Sequence, residues 1–235
     1  MMMTKLRLII LLGIVVGFLA SCEFDNYDEP GSMLQGRIVY NGEAINVSYN
    51  DVSFQLWEPG WQKNYSIDVT VDQDGSYSAL LSDATYKLIF PSSQGPFRSK
   101  INAETNSDTI LVSLNGSQTL DIEVEPYYMI RNAQFSVSGR DVSATFNAEK
   151  IITDSGARDI EEVNFYVNKT QFVDFRSNVI SAEIAGGDIA DPNSISMIVT
   201  VPDLVPAQNY VYARVGLKVA GVEDLIFSPV QKINF

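Results

Sequence analysis

From Leu34 onward apolar residues recur at every second position, a period that belongs to half-buried strands and not to helices. Val52, Phe54 and Leu56 alternate with Ser53, Gln55 and Trp57; Val142, Ala144 and Phe146 alternate with Ser143, Thr145 and Asn147. Val163, Phe165 and Val167 repeat the pattern, and Tyr86 to Phe90 forms a further strand stopped by Pro91. The longest stripe, Val211, Ala213, Val215, Leu217 and Val219, predicts a central core strand. Turn signals interrupt the strands often. Val69 and Val71 lead into Asp72-Gln73-Asp74-Gly75 and Ser76 to Leu80 leads out, which predicts a hairpin. Ile110 to Leu114, the turn Asn115-Gly116 and Leu120 to Val124 predict another. The expected fold is all-β: two consecutive antiparallel β-sandwiches, residues 34–125 and 126–235, divided at Pro126 where the patterns change. Each half carries its own apolar stripes, enough to fold alone.

A different pattern precedes the strands. Lys5 and Arg7 form a basic start, and Leu8 to Ala20 runs without a charge for 13 residues. A membrane-crossing helix needs about 20 apolar residues, so residues 1–21 read as a cleaved signal peptide. Cys22 is the single cysteine in the chain. Leu19-Ala20-Ser21-Cys22 resembles the lipobox of bacterial lipoproteins, which implies diacylglycerol on the Cys22 sulfur and Cys22 as the mature N-terminus. Residues 22–33 contain four acids, a proline and a glycine and read as a solvated tether. Acids directly behind a lipidated cysteine resemble the export signal of Bacteroidetes lipoproteins. That implies a lipid-anchored protein of the outer membrane, displayed at the cell surface, with the periplasmic face as the alternative. A plain flexible linker is the competing reading.

Composition removes several function classes. The net charge is −13, and loss of the leader takes away two more positive charges. Nothing then compensates phosphate, so nucleic acid is not an expected partner. Docking on anionic lipid is equally disfavoured, leaving the acyl chains as the membrane contact. The chain has no histidine, and its one cysteine is assigned to lipid. Ser-His-Asp and Cys-His catalysis, histidine-built metal sites and disulfides are therefore absent, and no cofactor is expected.

Trp57 and Trp61, the only tryptophans, flank Glu58-Pro59-Gly60, whose Pro-Gly centre suits a type II turn holding both indoles at one sandwich end. With Gln62, Asn64 and Tyr65 they offer flat apolar faces and hydrogen-bonding rims, as sugar stacking requires. The competing reading has these rings covering the sandwich end or packing on the other domain. Asp72-Gln73-Asp74-Gly75 resembles part of a calcium loop, but the twelfth position is Asp83, not glutamate, and the stretch between reads as strand, so no metal is assigned. Asp159, Glu161 and Glu162 cluster beside a strand and read as solvated charge rather than a glycosidase pair. Gly186-Gly187-Asp188 lacks the strand-to-helix context of a phosphate cradle. Asp108-Thr109-Ile110 resembles the short Bacteroidetes O-glycosylation signal, with Thr109 as acceptor.

Leu34 to Val39, Asp72 to Tyr77 and Thr85 to Leu88 resemble the carboxypeptidase-regulatory-like (transthyretin-like) sandwich, although Ala84 stands where that domain usually has glycine. The second half is similar to an immunoglobulin or fibronectin type III sandwich, with Leu204-Val205-Pro206 and Tyr210 approaching a tyrosine corner. Ser21-Cys22-Glu23, Asp25 to Asp28, Asp74 to Tyr77, Gly95-Pro96-Phe97 and Val124 to Tyr127 together resemble a family of two-domain Bacteroidetes lipoproteins of unknown function. Members are typically encoded beside SusC/SusD-type transporters of polysaccharide utilisation systems. The resemblance implies a non-catalytic accessory protein that binds an oligosaccharide or polysaccharide. A structural or docking subunit of the same transporter is the alternative, and a glycosidase is the third. It transfers no catalytic residue.

Overall fold

The computed structural model describes residues 29–59, 65–92 and 94–234. Residues 32–126 build two facing sheets from ten strands: β1 (Ser32–Tyr40), β2 (Glu43–Ala44), β3 (Ser53–Trp57), β4 (Ile67–Thr70), β5 (Ser76–Leu81), β6 (Ala84–Ile89), β7 (Phe97–Ser99), β8 (Ile110–Leu114), β9 (Gln118–Thr119) and β10 (Ile122–Pro126). One sheet runs β2-β1-β10-β7 with β5 and β9 also on β1; the other runs β4-β3-β6-β8. The alternation seen in the sequence buries Val52, Phe54 and Leu56 completely, facing Leu34 and Ile38 of the opposite sheet's central strand. An aromatic chain fills the middle, with Phe54 edge-on to Tyr77 at 4.9 Å and Phe90 edge-on to Phe97 at 5.2 Å.

Residues 128–234 form the second pair of sheets from β11 (Tyr128–Ser138), β12 (Asp141–Lys150), β13 (Ile160–Asn168), β14 (Ile180–Ala185), β15 (Ile195–Thr200), β16 (Tyr210–Val219), β17 (Ile226–Phe227) and β18 (Gln231–Asn234). The orders are β11-β12-β15 and β14-β13-β16-β17, with β18 also on β16. The Val211 to Val219 stripe is fully buried on central strand β16, as its period predicts. Tyr210 does not form the expected corner. It points to the other face of that strand, edge-on to Tyr212 at 5.9 Å, with the Lys232 ammonium 3.9 Å over its ring. Among the described residues the only helical turn is Gly186–Asp188, and no helix is long and apolar enough to cross a membrane.

Both predicted hairpins are corrected. β4 pairs with β3 and β5 with β1, so the Asp72 to Gly75 turn carries the chain from one sheet to the other. β8 and β10 likewise lie in opposite sheets. The turns have the chemistry the sequence announces: Gly75 and Gly116 have φ of 80° and 81°, and the Asp72 amide donates to the Ser76 carbonyl at 2.8 Å. Turn chemistry fixes a few dihedrals, whereas strand partners are chosen by which pairing buries both apolar faces. The Gly75 carbonyl accepts from the Ile38 amide at 2.9 Å, which draws the turn against β1.

The two sandwiches share an extensive seam. Tyr127 donates its amide to Pro96 and accepts at its carbonyl from the Ile151 amide. The Phe227 amide donates to the Asn46 carbonyl at 2.9 Å, and the Gly95 amide to Asp224 Oδ2 at 2.7 Å. Arg98 holds Glu125 of the first sandwich and Asp154 of the second. Arg214 projects from the back of β16 into the seam and is 0% exposed.

Candidate functional site

Of the residues singled out in the sequence, Cys22, Trp61, Gln62 and Asn64 lie outside the described residues. Trp57 ends β3 opposite Lys87, half-buried, and its indole Nε1 donates to Gln55 Oε1 at 3.2 Å. That bond occupies the only polar atom of the ring. Tyr65 is 72% exposed. Thr109 is half-buried just ahead of β8, and its amide donates to Ser107 Oγ. Asp159 is 94% exposed and paired only with Lys150, while Glu162 accepts from Asn164 Nδ2, so this acidic cluster faces solvent.

A broad concave surface lies elsewhere on the first sandwich. An open cleft of about 710 Å³ runs beside β1 and β5, floored by the turn at Asp72. Its lining includes Gln35, Arg37, Tyr49, Asp72, Thr119 and Asp121. Strand geometry sets the polar rows: Gln35 and Arg37 fall on the outward face of β1, whose inward face holds Leu34 and Ile38. The Arg37 amide donates to Asp121 Oδ1 at 3.0 Å, and the guanidinium sits 3.8 Å from Asp74. Partial burial works to raise the Asp74 carboxyl, but hydrogen bonds from the Ser76 hydroxyl and amide, aided by Arg37, outweigh it and hold it low. The Tyr77 hydroxyl donates to the Leu120 carbonyl at 2.5 Å, and burial, with Asp121 nearby, pushes the phenol up, so it stays protonated.

One lining residue, Tyr49, belongs to an exposed aromatic pair. Tyr49, 42% exposed, meets Phe172 of the second sandwich edge-on at 5.1 Å, and Phe172 is 41% exposed. Both rings sit on pinned backbone. Arg176 donates to the Tyr49 carbonyl at 2.7 Å and to Asp51 at 2.9 Å, and Asn168 Nδ2 donates to the Phe172 carbonyl at 2.6 Å. Buried Asp174 accepts the amides of Arg176 and Ser177, fixing the loop that carries them. Neither ring was signalled by the sequence. Each lies in a loop outside the alternating strands, and only the docking of the two sandwiches brings them together.

The cleft offers hydroxyls, carboxylates, amides and one guanidinium along an open floor, with the Tyr49 ring in its lining and Phe172 against that ring. Such groups are chemically suited to a polyhydroxylated ligand, through hydrogen bonds and stacking. Asp72 and Asp121 are exposed, and each already accepts a backbone amide, from Gln73 and Arg37 respectively. The carboxyl pushed up, to about 6, is Asp224, by burial; it sits in the seam bonded to Gly95. Among the described residues no group of three histidine, cysteine, aspartate or glutamate side chains is placed to hold a metal ion.

Sequence comparison divides the chain where the sheets divide. Residues 32–125 match the N-terminal domain of a protein of unknown function, DUF3823, and residues 128–232 match the domain of unknown function DUF3823_C. Among solved structures, a DUF3823 family protein from Parabacteroides merdae is 34% identical, over 88% of this chain and 100% of that one, with a TM-score of 0.76. One from Bacteroides ovatus is 28% identical, over 86% and 98%, also at 0.76. A candidate carbohydrate-binding protein from Bacteroides uniformis shares the fold at 16% identity, over 88% and 100%, with a TM-score of 0.68. No curated protein matches the chain.

Proposed function

This chain belongs to the DUF3823 family, and on that premise we propose that it is a non-catalytic carbohydrate-binding lipoprotein. The observation that carries this reading is the cleft: a polar trough of about 710 Å³, within the size range of ligand sites, whose lining includes Tyr49, itself edge-on to exposed Phe172. Its two lining carboxylates are exposed, whereas a glycosidase acid is raised by burial to protonate the leaving oxygen. The fold relative from Bacteroides uniformis is described as a candidate carbohydrate binder, in keeping with this class, although at 16% identity the likeness itself is one of fold.

The lipid on Cys22 would hold the protein at the outer membrane, with the acidic tether setting the sandwiches off from it. A SusC/SusD-type transporter is the partner that suits such a role, since a tethered binder raises the local concentration of oligosaccharide at the transporter. The test is retention on a panel of neutral and acidic polysaccharides immobilised in native gels. Retarded migration on at least one of them supports binding. Silence across the panel, together with co-purification with the transporter, would replace it with the docking reading.

A further inference from the structure

We infer that the carbohydrate site is composite, with Tyr49 of the first sandwich and Phe172 of the second forming one stacking platform, and that its ligand is an uncharged oligosaccharide. This rests on the carbohydrate-binding reading. Tyr49 lines the cleft, Phe172 meets its ring edge-on at 5.1 Å, and each ring is about two-fifths exposed, which leaves flat apolar surface open to a ligand. Rings left open purely by packing need no fixed backbone. Here the Tyr49 carbonyl is held by Arg176 and the Phe172 carbonyl by Asn168, so the backbone under both rings is fixed before any ligand arrives, and the rings rest on each other. A further seam bond, from Gln73 Nε2 to the Gln171 carbonyl at 3.1 Å, ties the cleft floor to the residue before Phe172.

Charge selects among glycans. The charged side chains among the residues lining the cleft are Arg37, Asp72 and Asp121. Arg37 is already paired with Asp74, and the nearby Arg176 is engaged with Asp51 and the Tyr49 carbonyl. A uronate or sulfate entering the trough meets the carboxylates of Asp72, Asp121 and neighbouring Asp74 against the single guanidinium of Arg37, all within a Debye length of about 8 Å at physiological salt. Sugar hydroxyls meet donors and acceptors on Gln35, Ser78 and Thr119 of the lining. Neutral sugars therefore fit, and acidic ones are repelled.

The experiment is titration calorimetry on the full-length chain in detergent with hexasaccharides of glucose, xylose, mannose and galacturonate. At least one neutral hexasaccharide is expected to bind, and hexagalacturonate at least tenfold more weakly, with the gap narrowing at 1 M salt. Tyr49→Ala and Phe172→Ala are each expected to weaken the neutral ligand about tenfold, or about 1.4 kcal/mol, while the melting temperature stays within a few degrees. Tyr49→Leu and Phe172→Leu, which keep bulk but lose the flat face, should show the same loss if either alanine variant is unstable. Trp57→Ala should bind as the parent does. If Trp57→Ala abolishes binding and the Tyr49 and Phe172 variants do not, or if hexagalacturonate binds best, the composite neutral site is wrong while carbohydrate binding stands. If no hexasaccharide binds, both fall.

Discussion

Arg214 Nη1 donates a 3.0 Å hydrogen bond to the carbonyl of Val47, so a guanidinium from the central strand of one sandwich reaches the backbone of the other. The same group donates through Nε to the Val173 carbonyl and stacks 3.8 Å over Phe227, while Nη2 has no protein partner. Burial pulls its pKa down to about 10, with Asp174 opposing. Removing the side chain strands two buried carbonyls and opens a large void in the seam. Arg214→Ala is expected to cost about 3 kcal/mol or more and to split a single urea transition into two. A single transition at the parent's midpoint would show that Arg214 does not couple the sandwiches.

Asp224 gives the seam a pH dependence. Its carboxyl is raised from 3.8 to about 6 by burial, with the Gly95 amide bond opposing. The folded state therefore favours the protonated form. The stability from this group is complete below the unfolded pKa near 4 and is lost as pH rises through about 6. Linkage over that interval is about 3 kcal/mol. Asp224→Asn keeps an acceptor for Gly95 and cannot ionise, so the difference between variant and parent stability should grow in the variant's favour from pH 4 to pH 7. Chemical denaturation across that range reads it; a flat difference would remove the assignment.

Gly36 marks where the first sandwich tolerates no side chain. A Cβ there would lie 1.9 Å from the Leu120 carbonyl oxygen, where β1 carries the short parallel strand β9 and the Leu120 amide donates back to Gln35. Gly36→Ala must push those backbones apart. A loss of about 3 kcal/mol or an insoluble product is expected by denaturation and expression assays, against parent-like stability if the approach is loose.

The sequence was legible where one face of a strand decided its pattern. Val52, Phe54 and Leu56, and the stripe from Val211 to Val219, are buried as their alternation requires. It was illegible where a residue's surroundings come from the other sandwich. Arg214 has the parity of an outward, solvated position on β16, yet it is fully buried because the other sandwich covers that face. Asp-Gly and Asn-Gly announced turns correctly but not which sheet the next strand would join. Tyr49 and Phe172 carry no periodic signal at all, and about 120 residues separate them. Trp57 drew attention by rarity, and the structure shows its indole nitrogen engaged with Gln55.

Cys22 is the proposed anchor, and its role can be tested apart from glycan binding. Cys22→Ser is expected to abolish incorporation of labelled fatty acid and leave an unprocessed or soluble protein, with glycan binding by the folded part unchanged. Membrane retention in the variant at the parent's level would assign the contact to another segment.

Binding without turnover is measured most directly by pairing two readings on the full-length chain with a glycan it retains: saturation by calorimetry, and reducing ends released over one day at neutral pH. Saturable binding with no reducing ends above a protein-free blank is the predicted result. Reducing ends that rise in proportion to protein, or a failure of every glycan to saturate, would contradict it.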